Sequence, residues 1–145
     1  MRRNLTAKIE AANKALMERG ELTAVSKYFA PDYVAHLTDA DLVGGHAAIR
    51  AVMALYRRSF PDMRVSVDIL ATERDRIAWQ RTVRATHKAS FKGFPATGRP
   101  LVWRDMVTSR FRGGKIAEEW VISDLAERLL LARKRRSRKA SAPSR

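Results

Sequence analysis

Cysteine is absent from the 145 residues, which removes a disulfide framework, a thiolate metal site and a cysteine nucleophile at once. No uncharged apolar run approaches the roughly 18 residues that a membrane-crossing helix needs. No export signal is expected either. Met1-Arg2-Arg3 offers a charged start, but Lys8 and Glu10 stand where the apolar stretch should follow. The three histidines share no metal-ligand spacing, and Gly93 to Gly98, although spaced like a phosphate loop, is followed by Arg99-Pro100 instead of Lys-Ser/Thr. Neither a metal nor a nucleotide cofactor is expected, and the serines lack a nucleophile elbow. A soluble cytoplasmic protein with no membrane association is therefore expected.

Acidic residues are scarce: 15 against 29 Lys and Arg, for a net charge of +14. Seven of those excess charges follow residue 132, in a segment rich in Ser, Ala and Pro with neither an acidic nor an aromatic side chain. Such a composition cannot bury itself, so residues 133–145 are expected to form a disordered basic tail behind a single domain, 1–132. The tail reads first as a solubilising terminus. Contact with nucleic acid or an anionic membrane is the alternative, disfavoured because no dedicated module or interleaved aromatics accompany the charge.

What is present organises into helices first and strands later. Leu5, Ile9, Ala12, Leu16 and Met17 make a helical stripe that Gly20 ends, Leu22 to Phe29 forms a second helix, and Gly44-Gly45 opens a third. Tyr33 to His36 is a short extended piece between them. From Met63 the period becomes two. Strands follow to a turn at Glu73-Arg74-Asp75, then from Ile77 to His87, from Leu101 to Phe111, and, after Gly113-Gly114, from Lys115 to Ser123. A last helix runs from Asp124 to about Arg136. The pattern implies an α+β domain with helices on one face of an antiparallel sheet.

Parity then distributes the polar residues. Ile77, Trp79, Arg81, Val83, Ala85 and His87 share one strand face, so Arg81 and His87 are either paired or lining a cavity. His87 is a candidate proton carrier because imidazole titrates near neutrality, or else a satisfied structural residue. On the last strand Ile116, Glu118, Trp120, Ile122 and Asp124 have equal parity, three of them large and apolar, which points to the helix-covered face. Glu118 reads as the ion-pair partner of Arg110, and Asp124 as a helix cap or a buried acid.

Phe60-Pro61-Asp62, Ala85-Thr86-His87, the loop Phe91-Lys92-Gly93-Phe94-Pro95-Ala96-Thr97-Gly98-Arg99, and Arg110 to Trp120 with Asp124 occur in this order. The ordered set resembles the SnoaL-like polyketide cyclase, or ester cyclase, family over about residues 10 to 130. The resemblance implies a nuclear transport factor 2-like cone, with N-terminal helices on a curved sheet around an apolar pocket. It also implies aldol ring closure in a polyketide ester without metal or cofactor, and a homodimer packed through the outer sheet face. Carried over residue by residue, Asp124 is the general acid and base, His87 the pocket histidine, and His36 a residue at the pocket's edge. Trp120, Trp79, Arg81 and Tyr33 complete the expected substrate contacts. A non-catalytic domain binding a small apolar ligand, or an isomerase or dehydratase on the same cone, are the alternatives.

Overall fold

A computed structural model describes the backbone of residues 2–141 and the side chains of residues 5–133. Helix α1 (Arg2–Asn13) runs into a single wide π turn, Lys14–Glu18, which buries Ala15, Leu16 and Met17 in succession. A regular helix would send three consecutive side chains to different sides. In the wider turn all three are buried, Ala15 and Leu16 in one cluster and Met17 in another, and such turns favour functional sites. A short 3₁₀ turn at Leu22–Ala24 leads into α2 (Val25–Tyr28), where Pro31 bars further helix and the chain continues as β1 (Phe29–His36).

After β2 (Asp41–Leu42) comes α3 (Gly45–Ser59), then the long strands β3 (Arg64–Glu73), β4 (Arg76–Thr86), β5 (Pro100–Arg112) and β6 (Lys115–Ser123). The six strands form one sheet in the order β2-β1-β6-β5-β4-β3. All pairings are antiparallel except β1 with β6, which is parallel because the helical segment and β1 precede the meander. The fold is the α+β arrangement expected, but the sheet is mixed where a wholly antiparallel one was expected; among the described residues four α-helices accompany it.

Helix α4 (Leu125–Ser141) extends beyond the expected end near residue 136 into the basic segment. Its Leu125, Leu129 and Ala132, at helical spacing, are buried against Trp103, Val83 and Leu101. A second cluster joins α1, the π turn, β1 and the inner faces of β4 to β6 through Ile9, Leu16, Phe29, Trp79 and Phe111. None of the described helices is long and apolar enough to cross a membrane.

One expectation about strand parity is overturned. Arg110 pairs with Glu118 but Phe111 pairs with Ile116, so Ala117 is the extra residue of a β-bulge. Ile116 and Ala117 are both buried, and from there the faces exchange: Glu119 and Val121 point inward while Ile122 is 63% exposed. Glu118 and Trp120 therefore belong to the outer face with Ile122, and Glu119 takes the inner one.

Candidate active site

Between the helices and the inner sheet face lies a cavity of about 280 Å³ with mostly apolar walls, including Leu16, Phe29, Ile49, Met53, Phe91 and Val121. That is near the lower end of ligand pockets, roughly 300–1,000 Å³. The loop after β4 supplies Phe91, Lys92 and Phe94 to its lining. His87 N–H to Arg99 O (3.0 Å) and Gly98 N–H to His87 O (2.8 Å) close that loop, and Phe91 and Phe94 exchange backbone hydrogen bonds inside it.

Two polar clusters interrupt the apolar lining. The first joins β4, β5 and α1. Arg81 and Asp105 face each other in the β4–β5 register, and Arg81 Nε donates to Asp105 Oδ2 at 2.7 Å. Arg81 Nη1 donates to Asn13 Oδ1 at 2.9 Å, while Asn13 Nδ2 is anchored on Ile9 O at 2.8 Å. Asn13 is the last residue of α1, where the π turn begins. Asp105 is only 5% exposed, and its Oδ1 has no hydrogen-bond partner. Burial works against the Arg81 charge, but Asp105 outweighs it and the guanidinium is held above its ordinary value. Tyr56, also in the lining, is pushed up to about 12, first by burial and then by the Asp105 charge.

The second cluster joins β1, β4, β5 and β6. Tyr33 Oη donates to Glu119 Oε1 at 2.6 Å, Ser109 Oγ donates to Glu119 Oε2, and Trp79 Nε1 donates to Ser109 Oγ at 2.9 Å. All four side chains are buried. Burial pushes the Glu119 carboxyl above the usual carboxylate range, against the Ser109 and Tyr33 hydrogen bonds and the Arg81 charge. Burial and the Glu119 charge drive the Tyr33 phenol well above its ordinary value. Tyr33, Trp79 and Glu119 line the cavity along with Arg81 and Asp105.

Of the residues singled out in the sequence, the structure brings Tyr33, Trp79 and Arg81 to the cavity. Asp124 lies outside its lining, just before α4. Its Oδ1 accepts the Arg104 N–H at 2.8 Å and its Oδ2 the Arg128 guanidinium at 3.2 Å. The bulge explains the displacement, since it reversed the parity that placed Asp124 inside. His87 has no exposed surface, stacks on Phe60 at 5.3 Å, and receives long contacts on Nδ1 from Thr97, at 3.3 and 3.4 Å. Burial pushes its pKa down. His87 and Asp124 do not meet across the cavity.

His36 and Trp120 stack on each other at 5.4 Å on the outer face. There His36 Nε2 meets Glu118 Oε2 at 2.7 Å and its Nδ1 meets Asp41 at 3.0 Å, so the imidazole is held above its ordinary value. Neither ring lines the cavity. The Glu118–Arg110 ion pair expected from the sequence is present at 3.1 Å. Among the described residues no cluster of three potential metal ligands occurs.

Asp105 and Glu119 were missed as site residues. Asp105 was visible as a lone acid alternating with Trp103 and Val107 on a covered face. Glu119 stood only in the weaker of two alternations, because the bulge that turns it inward is invisible to a period of two.

Comparison with known proteins adds a family model, SnoaL-like polyketide cyclase, that matches residues 7–130. Among solved structures the chain is similar to IdmH of Streptomyces antibioticus, a candidate polyketide cyclase, at 30% identity and a TM-score of 0.76, over 90% of this chain and 98% of that one. AclR of Streptomyces galilaeus, a candidate hydroxylase, gives 30% identity and a TM-score of 0.76 over 90% of this chain and 96% of the other. A candidate polyketide cyclase of Acidithiobacillus ferrooxidans shares the fold, with a TM-score of 0.81 at 22% identity over 90% and 95% of the two chains. No curated protein matches the chain.

Proposed function

The chain belongs to the SnoaL-like polyketide cyclase family, and from that premise we propose that its cavity closes a ring in a polyketide-like substrate by intramolecular aldol chemistry, with Asp105 as the base. The observation that carries this reading is the buried Asp105 carboxylate, tied to Arg81 through one oxygen and bare on the other. A buried acceptor left unsatisfied costs about 1–3 kcal/mol. A protein that merely stored an apolar ligand would lose nothing by replacing the Arg81–Asp105 pair with apolar residues, whereas a base needs that free lone pair.

In this reading Oδ1 takes a proton from a carbon between two carbonyls. The electron pair left on that carbon attacks a second carbonyl of the same chain, and the resulting alkoxide is protonated. Arg81 balances the Asp105 charge and donates its remaining N–H groups to the enolate oxygen. Holding both reacting carbons in one small cavity supplies proximity, which is worth up to about 7–11 kcal/mol in well-oriented systems. The walls exclude water, and the aromatic faces of Trp79 and Phe91 pack on a flat substrate. A second copy of the chain packs on the outer sheet face.

The assay is turnover of a linear poly-β-ketone methyl ester by three variants, with thermal melting as the folding control. Asp105→Asn keeps the shape and the Arg81 contact but removes the base, and turnover should fall at least about 10²-fold. Asp124→Asn and His87→Gln, which test the assignment implied by the resemblance, should fall much less. If Asp124→Asn falls instead and Asp105→Asn turns over at the parent rate, the base is Asp124 and this reading is overturned.

A further inference from the structure

The second polar cluster supplies no step in the aldol scheme, yet it lines the same cavity and its members constrain one another. Ser109 Oγ receives the Trp79 N–H, so the serine's own proton is directed at Glu119 Oε2. If Glu119 carries a proton, that proton therefore sits on Oε1, facing the Tyr33 oxygen 2.6 Å away. A phenol oxygen both donates and accepts. Once Tyr33 accepts from Glu119, its own O–H is free to rotate away from the carboxyl and toward the cavity it lines.

We propose that Glu119 and Tyr33 form a proton relay in which neutral Glu119 turns the Tyr33 hydroxyl into the cavity's acid, donating to an oxygen of the bound substrate. The inference rests on the aldol reading for its substrate oxygen, the alkoxide formed as the ring closes. Two carboxyl groups then divide the work according to their surroundings. Asp105, bonded to a guanidinium through one oxygen and bare on the other, accepts. Glu119, bonded only to neutral donors and withdrawn from water, holds a proton and gives it.

The proton count closes. Asp105 gains the proton from the substrate carbon as the carbon–carbon bond forms and the carbonyl π bond becomes an alkoxide. Tyr33 passes its proton to that alkoxide and takes the Glu119 proton in the same movement. The enzyme is left with Asp105 neutral and Glu119 ionised. One proton returns from the first to the second through solvent entering the cavity after product leaves, with no oxidant, reductant or external acid required.

The relay is testable without a substrate. Infrared difference spectra between the parent and Glu119→Gln at neutral pH should show a carboxylic-acid carbonyl band belonging to Glu119; a spectrum without one overturns the proposal. Tyr33→Phe removes the partner that Oε1–H donates to, so the band should move to higher frequency. This second variant keeps the test alive if Glu119→Gln does not fold, and an unmoved band also overturns the proposal. In turnover of the poly-β-ketone methyl ester, Tyr33→Phe should lower kcat about 10²-fold with KM little changed. A parent rate in Tyr33→Phe while Asp105→Asn is inactive would remove the relay and leave the aldol reading intact. An acid band with no turnover by the parent would do the reverse.

Discussion

His87 shows burial outweighing a hydrogen bond in moving a pKa: desolvation lowers it against the Ala89 backbone contact. Its ring has no exposed surface, stacks on Phe60 and meets no carboxylate, so desolvation lowers its pKa below the ordinary value near 6.5. A group whose folded pKa is depressed takes up its proton in the unfolded chain first. Between the folded value and about 6.5 the unfolded state therefore binds more protons, and stability falls as the pH is lowered through that window. His87→Gln removes this contribution. Melting curves at pH 7.5 and pH 5 should show a smaller loss in the variant than in the parent, and equal losses would mean that the folded protein admits the charged ring. Strand parity was enough to place His87 on a covered face. It could not say whether the ring opens on the cavity or packs behind it, because that depends on which aromatic neighbours fill the intervening space.

The elements show where a period of two stops being informative. On β4 and in the residue that follows it, Ile77, Trp79, Val83, Ala85 and His87 are buried and Arg81 lines the cavity, as the alternation placed them. On β6 one extra residue at Ala117 exchanges the faces, so Glu118 and Trp120 were expected inside and Glu119 was overlooked. The same strand offered a second pattern, Ala117, Glu119, Val121 and Ser123, but small residues beside an acid compete poorly with Ile, Trp and Ile when parity is judged by bulk. The start of α3 was legible for a different reason. Gly44-Gly45 marks a chain reversal, and the structure shows why the second glycine is needed: it has φ +61°, and a Cβ there would stand 2.2 Å from the Pro31 carbonyl oxygen. That oxygen belongs to the backbone of β1 and cannot step aside. Gly45→Ala should therefore cost at least the roughly 1–3 kcal/mol of left-handed strain, lowering the melting temperature by several degrees and separating α3 from β1. A variant melting with the parent would mean that β1 yields at Pro31.

At the scale of the whole molecule, the inner sheet face is satisfied by helices and cavity while the outer one is not. Met106 is 47% and Ile122 63% exposed, and the two are register partners on β5 and β6. Thr108 and Trp120 are the next outward pair, and on β4 Gln80 and Ala78 lie opposite Met106 and Thr108. This makes an uncharged strip across three strands. Charge stands at its ends: Arg76, Arg110 and Glu118 on one side, Arg84 and Arg104 on the other. An apolar centre with a charged rim is the anatomy of a protein interface, and a two-fold axis through Met106 and Ile122 would set the same strip against itself. Two chains of net charge +14 repel, and salt screens that repulsion over about 8–10 Å. Sedimentation at micromolar concentration should therefore give a dimer that tightens as salt is raised. Ile122→Arg should dissociate it, since each copy would then bury a charge against its mate, while the unfolding of the isolated chain shifts only by the roughly 0.5 kcal/mol typical of surface changes. A monomeric parent, or an Ile122→Arg variant that remains dimeric, would move the interface to another face and leave Met106 and Ile122 as ordinary exposed side chains.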